Sequence, residues 1–155
     1  MIAPSLQPPA VLIRPATPAD AGRLAELAGQ LGYPTAAHDV ARRLAQLHQA
    51  GDHTVYVAEL EDGTVAGWVH VRLHQDLLDE PLAEIGGLVV DELYRGRRVG
   101  RQLMERAEQW AREHGCAGVY LRSNVIRHDA HRFYEGLGFR TVKTQLALGK
   151  RFQDI

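Results

Sequence analysis

Leu88-Val89-Val90-Asp91-Glu92-Leu93-Tyr94-Arg95-Gly96-Arg97-Arg98-Val99-Gly100-Arg101-Gln102-Leu103-Met104 decides how this chain is read. Its first three residues read as the end of a strand. Val99, Leu103, Ala107, Trp110 and Ala111 recur at helical spacing, so an amphipathic helix follows over about residues 98–114. Between them, four arginines and two glycines fall within Arg95–Arg101. A helix N-terminus presents free N–H groups and the positive end of its dipole. Arginines beside it add charge-assisted hydrogen bonds to an anion. Strand, Arg/Gly turn and helix in this order predict a grip for the pyrophosphate of a nucleotide-bearing cofactor.

Composition limits the alternatives. A chain of 155 residues with 45% hydrophobic and 24% charged residues suits one domain with a sizeable core. The net charge of −1 gives no global field for nucleic acid or an acidic membrane, so attraction for anions must be local. The single cysteine, Cys116, excludes an intrachain disulfide and a thiol metal cluster. No apolar run approaches the roughly 20 residues of a membrane span. The Pro-rich start, residues 1–9, reads as a flexible tail without signal-peptide pattern, and residues 10–155 as a single domain, cytoplasmic in character.

Outward from the turn, the pattern predicts alternating element types. Val11 to Arg14 form a short strand stopped by Pro15. Thr17 caps a helix with Pro18 at its first position, and Leu24, Leu27, Ala28 and Leu31 form its apolar stripe. A second helix over about 36–49 carries Val40, Leu44 and Leu47. Thr54–Ala58 and Val65–Leu73 make a hairpin across Asp62-Gly63. A polar loop over 74–81 leads to a strand over 83–90. After the long helix come a strand at Gly118–Leu121, a helix over about 129–137, and a last strand from Phe139 through Val142, Leu146 and Leu148. The order β-α-α-β-β-β-α-β-α-β excludes a purely parallel doubly wound sheet. The crossover after residue 90 demands one parallel pair in an otherwise antiparallel sheet.

Two stretches resemble the GNAT acetyltransferases, which move an acetyl group from acetyl-coenzyme A to an amine. Arg95-Gly96-Arg97-Arg98-Val99-Gly100 is similar to the family's Arg/Gln-x-x-Gly-x-Gly/Ala signature, with Arg98 where the signature has its first glycine. A side chain there is compatible with a bound pyrophosphate if Arg98 keeps a negative φ. Asp129 to Phe139 looks like the family's Ala-x-x-Phe-Tyr-x-x-x-Gly-Phe segment. The resemblance covers about residues 11–149. It implies a mixed, mostly antiparallel α/β sheet of about six to seven strands flanked by four helices.

It also implies acetyl-CoA as cosubstrate, held by Leu88, Val89, Val90, Arg95, Gly96, Arg97, Arg98, Val99, Gly100, Arg101 and Tyr134, with no metal. The pyrophosphate would lie on the N–H groups of Arg97 to Arg101. The pantetheine arm would pair with the backbone of Leu88–Val90 as an added strand, and the Leu88 N–H would polarise the thioester carbonyl. Glu84 matches the position of the glutamate base in histone-acetylating members, and Tyr134 that of the tyrosine that protonates the CoA thiolate.

The chemistry gives both residues a reason. A lysine-like amine has a reference pKa near 10.4, so only about one molecule in a few thousand is neutral at pH 7. A general base recovers much of that loss. Strand parity places Glu84 on the face of Leu88. A plainer reading of Glu84 is an acid at a half-exposed strand start, and of Tyr134 an amphipathic core tyrosine beside Phe133 and Leu137. His70, His74 and Glu80 are lesser candidates. Cys116 lies at the wrong end of its strand for a nucleophile. Arg127 stands where many members carry an asparagine, and Asn124 is not an evident substitute. His70, His74, His128 and His131 define no metal shell by spacing.

The acceptor is read as a small-molecule amine, by similarity of the Ala-His-Arg-Phe-Tyr wording to small-amine acetylating members. Acetylation of a peptide lysine or N-terminus, and acyl-CoA binding without turnover, are the alternatives. A nucleoside triphosphatase is excluded by the lack of a Gly-Lys-Ser/Thr ending to the turn. Arg95, Arg97, Arg98, Arg101 and Arg106 could make a nucleic-acid patch, but no aromatics interleave them. With only 16 residues after Phe139, the usual last hairpin would be absent or supplied by a second subunit, which predicts a homodimer.

Overall fold

In the computed structural model, residues 10–123 and 125–153 are described. The expected tail over 1–9 and the asparagine at 124 lie outside them. The chain divides into two compact units, Met1–Arg122 and Ser123–Ile155.

The first unit holds a five-stranded sheet in the order β1-β2-β3-β4-β5, built from Val11–Pro15, His53–Leu60, Val65–His74, Leu82–Val90 and Val119–Leu121. The first four pair antiparallel and β4–β5 is parallel, as the crossover through α3 (Val99–Glu113) requires. Before β2 stand α1 (Ala21–Gln30) and α2 (Ala37–Ala50). The Thr17–Asp20 start forms as a short 3-10 turn, Pro18–Asp20, in which the Asp20 carboxylate accepts the Thr17 N–H at 2.7 Å. Arg14 reaches the same carboxylate with two nitrogens, at 2.8 and 3.0 Å, and so ties the first strand to the first helix. The Asp62-Gly63 hairpin forms as expected, with Gly63 at φ +86 and the Asp62 carboxylate accepting the Thr64 N–H at 2.9 Å.

Apolar alternation sets the layers. Val57, Trp68 and Val89 share one sheet face, where Leu24 and Leu27 of α1 pack with Leu44 of α2 against them. Tyr56, Val69 and Ile85 lie on the other face, covered by Leu103, Met104, Ala107 and Ala111 of α3. The Arg106 guanidinium stands 4.5 Å over the Tyr56 ring from that side. No side chain of α2 is fully buried, and an open cavity of about 450 Å³ separates Leu44, Leu47 and His48 from Val55 and the end of β1. Among the described residues no helix is long and apolar enough to cross a membrane.

The second unit contains α4 (His128–Gly136), ended by Gly138 at φ +94. Two expectations are corrected here. The described residues hold five strands, not six or seven: after Phe139 no strand forms through residue 153. Val142, Leu146 and Leu148 are 85–90% exposed, and a strand exists only where a neighbour takes its hydrogen bonds. Phe133, read as core, is 36% exposed, and Leu137 is half-buried.

Gly67 marks the closest approach of β3 to its neighbours. A Cβ there would stand 2.7 Å from the Val89 carbonyl oxygen and 3.2 Å from Leu103 Cδ1. Gly67→Ala is expected to lower unfolding free energy by about 1–3 kcal/mol, the usual cost of overpacking, read from chemical denaturation midpoints.

Candidate active site

The site begins where the sheet loses a strand. β4 pairs with β5 only at Ala83, Glu84 and Ile85, whereas it pairs with β3 as far as Val90. From Gly86 to Val90 its second edge has no β5 partner. The register also shifts: His70 faces Gly87 and Val71 faces Ile85, so Gly86 is an extra residue in β4. This bulge reverses the parity expected from counting. Glu84, opposite Arg72, lies on the α1–α2 face, while Leu88, opposite Val69, lies on the α3 face. The expectation that the two side chains share a face is therefore wrong.

The Leu88 backbone is not affected in the same way. The Asp91 N–H bonds Ala66 O toward β3 at 2.8 Å, and N–H directions alternate along an antiparallel ladder. Leu88 and Val90 therefore aim their backbone groups at the open edge. Glycine is required at the bulge, because a Cβ on Gly86 would meet the His70 ring at 2.8 Å and one on Gly87 the Trp68 ring at 2.9 Å.

The open edge runs into the arginine turn. Asp91 is 5% exposed and accepts from the Leu93 N–H at 3.1 Å, from Gln30 at 3.4 Å and from the Arg23 guanidinium. Burial alone would raise its pKa, but these donors outweigh it and hold the carboxyl below its ordinary value. Gln30 also accepts the Glu92 N–H at 3.0 Å, so α1 fixes the start of the turn. Arg95 Nε donates to the Val90 carbonyl at 3.2 Å and closes it. Gln102 N–H bonds Arg98 O, so the N–H groups of Val99, Gly100 and Arg101 have no acceptor within the helix.

Arg98 is the N-cap of α3 at φ +64, ψ +13, and it is the described non-glycine residue with positive φ. The expected negative φ is thus corrected. The backbone keeps the left-handed shape of a glycine signature and Arg98 bears the strain of it.

On the α1–α2 face, Glu84 is the centre of a polar cluster. It is 4% exposed, and its Oε1 accepts from Arg72 and, at 3.1 Å, from Arg122. Oε2 accepts from the Tyr120 hydroxyl and lies 3.9 Å from His74 Nδ1. Burial pushes the Glu84 pKa up, but the Tyr120 hydrogen bond and the two arginines more than offset this, and it stands below its ordinary value. Burial and the Glu84 carboxylate push the Tyr120 phenol up to about 12. His70 Nε2 and His53 Nδ1 lie 2.9 Å apart, and burial together with His53 lowers the His70 pKa to about 4. Glu84 is therefore ionised at neutral pH and His70 is neutral.

In the second unit, the Tyr134 ring meets Phe133 and Phe139 edge-on, at 5.1 and 5.7 Å between centroids. Burial raises the Tyr134 pKa, partly countered by Arg127, so its phenol keeps its proton. Burial likewise raises the Cys116 thiol. Among the described residues no group of acids, histidines and cysteine could hold a metal ion.

Three features escaped the sequence reading. Arg72 and Arg122 gave no signal, because neither lies in a motif. Tyr120 lies on β5 opposite Glu84, a pairing that no spacing in the sequence marks. The Asp91–Arg23 tie joins residues 68 apart in sequence.

The model of the acetyltransferase (GNAT) family matches residues 23–139. The aminoglycoside N(6')-acetyltransferase type 1 of Stenotrophomonas maltophilia is 33% identical over 135 residues, covering 84% of this chain and 87% of that protein. The aminoalkylphosphonate N-acetyltransferase of Salmonella typhimurium is 37% identical over 87 residues, covering 55% of this chain and 56% of its own length. Among solved structures, an aminoglycoside N-acetyltransferase in complex with CoA superposes with a TM-score of 0.83 at 19% identity, over 97% of this chain and 99% of that one.

Arg98→Gly is expected to stabilise the protein by about 1 kcal/mol, because glycine adopts positive φ without the Cβ clash. Acetyl-CoA affinity should stay level or weaken, since the backbone makes the grip and the arginine adds charge beside it. Thermal denaturation and calorimetric titration check the two halves separately.

Proposed function

Because this chain belongs to the GNAT acetyltransferase family, and is thereby an acyltransferase, we propose that it moves the acetyl group of acetyl-CoA to a small-molecule primary amine by direct attack in a ternary complex. The observation that carries this reading is the continuous track of free backbone donors, from the unpaired β4 edge at Leu88 to the α3 N-terminus at Val99–Arg101. An amide-rich pantetheine arm would add to that edge as a strand, and a pyrophosphate would end on the helix. Leu88, Val89, Val90, Arg95, Gly96, Arg97, Arg98, Val99, Gly100 and Arg101 form this track. The names of the relatives, which act on aminoglycosides and aminoalkylphosphonates, support a small amine as acceptor.

In the proposed step the amine nitrogen attacks the thioester carbon, the C–N bond forms, and the Leu88 N–H supports the developing oxyanion. The nitrogen then carries a positive charge beside an acyl carbon, and is far more acidic than a free ammonium. A weak base suffices at that point. Glu84, already ionised, takes the proton through water. Collapse breaks the C–S bond, and Tyr134, assigned on its motif and its protonated phenol, donates to the leaving thiolate.

Purified protein with acetyl-CoA and a panel of amines should release free thiol; binding of acetyl-CoA with silence across the whole panel would overturn the enzyme reading. Glu84→Gln should lower kcat by about 10²-fold while acetyl-CoA still binds. Because the Glu84 pKa is depressed, its proton-accepting form is complete well below pH 7. The kcat/KM profile should then rise with pH through deprotonation of the amine alone. An acid limb near pH 6–7 that vanishes in Glu84→Gln would show Glu84 titrating in that range and would count against its depressed pKa. A profile and kcat unchanged in Glu84→Gln would count against its role as base.

The same reading makes the protein a homodimer, supported by the exposed, unpaired apolar side chains at Val142, Leu146 and Leu148. Light scattering at micromolar concentration should give twice the chain mass of 17.2 kDa.

A further inference from the structure

Glu84 is one carboxylate facing two guanidiniums. Arg72 and Arg122 both donate through Nη2 to the same oxygen, Oε1, and Tyr120 occupies the other. One negative charge thus answers two positive ones, and the cluster keeps a surplus positive charge. Each guanidinium carries five N–H donors in a planar fork. Among the described residues no acceptor meets Nε or Nη1 of either, and neither side chain is enclosed: Arg72 is 34% and Arg122 69% exposed. Such a fork matches a carboxylate or a phosphoryl group two oxygens at a time.

The position is as informative as the charge. Arg72 stands opposite Glu84, two residues before the Gly86 bulge where the β4 edge opens. Arg122 follows Leu121, the partner of Ile85, and so is the member of the cluster nearest the bulge. From Gly86 to Leu88, whose N–H is assigned to the thioester carbonyl, is two residues, about 7 Å at the rise of a strand and the span of a short amino acid or aminophosphonate. The acids closest in sequence do not cancel the surplus. Asp76 lies 3.8 Å from His74 Nε2, on the far nitrogen of that ring, while Asp79 and Glu80 are exposed on the β3–β4 loop. Among the described residues, no ion pair joins Asp79 or Glu80 to either arginine.

We propose that the acceptor is an amine bearing an anionic group, a carboxylate or a phosphonate or phosphate, which Arg72 and Arg122 hold while the amine reaches past the bulge to the thioester at Leu88. This rests on the acetyl transfer proposed above, and it names the class of amine. A polycationic sugar would bring further positive charge against two guanidiniums, and is disfavoured.

The test is thiol release from acetyl-CoA with four probes: 2-aminoethylphosphonate, β-alanine, propylamine and kanamycin. Either anionic amine should exceed propylamine and kanamycin in kcat/KM by about tenfold or more, the scale of a charged hydrogen bond. Arg122→Gln should raise KM for the anionic amine about tenfold more than it raises KM for propylamine, with the loss in KM and not kcat. Arg122→Lys, which keeps the charge without the fork, should recover part of that. Preference for kanamycin or propylamine in the wild-type enzyme, or an equal KM change for charged and uncharged amines, overturns the inference while leaving acetyl transfer standing. Silence with every amine, with acetyl-CoA bound, instead overturns the acetyl transfer itself.

Discussion

The loss of a neighbour by β4 after Ile85 is the constraint on which the rest of this structure depends. A central strand normally spends its backbone donors and acceptors on both sides, and leaving one edge open inside a sheet invites a partner. Here the opening is prepared by an inserted residue at Gly86 and by two glycines that the His70 and Trp68 rings could not otherwise tolerate. The bulge turns Glu84 to one face and Leu88 to the other. The edge and the polar cluster are thus separate surfaces of one strand, meeting only at the bulge. A cofactor added along the edge and an acceptor presented from the α1–α2 face would approach the same point from two directions.

The turn that follows needs rigidity more than charge. Asp91 is held by the neighbouring Leu93 N–H and by Arg23 and Gln30 of α1, which lie far in sequence from the arginines that mark the turn. Arg98 then takes a positive φ that an L-residue adopts only when its surroundings dictate it. Strain retained at a non-glycine residue indicates that the backbone path is set by the β4–α3 connection, and that the side chain follows. The arginines decorate a shape that other residues determine.

How much of this could be read from the residues follows from the range of each interaction. Helical and strand periodicity, the Asp62-Gly63 turn, the parallel pair after the crossover and the strand–turn–helix order around Arg95–Arg101 are local or nearly so, and each was legible. Parity along β4 was not, because one inserted residue at a Gly-Gly pair reverses it without changing the apolar pattern around it. The strand expected after Phe139 shows the opposite failure. Val142, Leu146 and Leu148 carry strand propensity, but propensity forms no strand without a hydrogen-bonding neighbour. Arg72, Tyr120 and Arg122 became visible only when the register placed them around Glu84, since nothing in their own neighbourhoods distinguishes them from surface residues.

That register changes the meaning of Glu84. Read alone on a strand, it is an acid available to take a proton. Surrounded by two guanidiniums and a phenol, it is an ionised group of low basicity whose partners outnumber it in charge. A strong base would need a raised pKa, and burial at this position works toward one. The arginines oppose that, and they would be a poor investment if proton uptake were the cluster's main demand. Their cost to basicity is explained if they answer a second requirement, recognition of a negative charge on the incoming amine. On this account Glu84 acts in two ways at once. It accepts a proton that has become acidic by the progress of the reaction, and it holds two forks open, a few ångströms from the bulge, for an anion to complete.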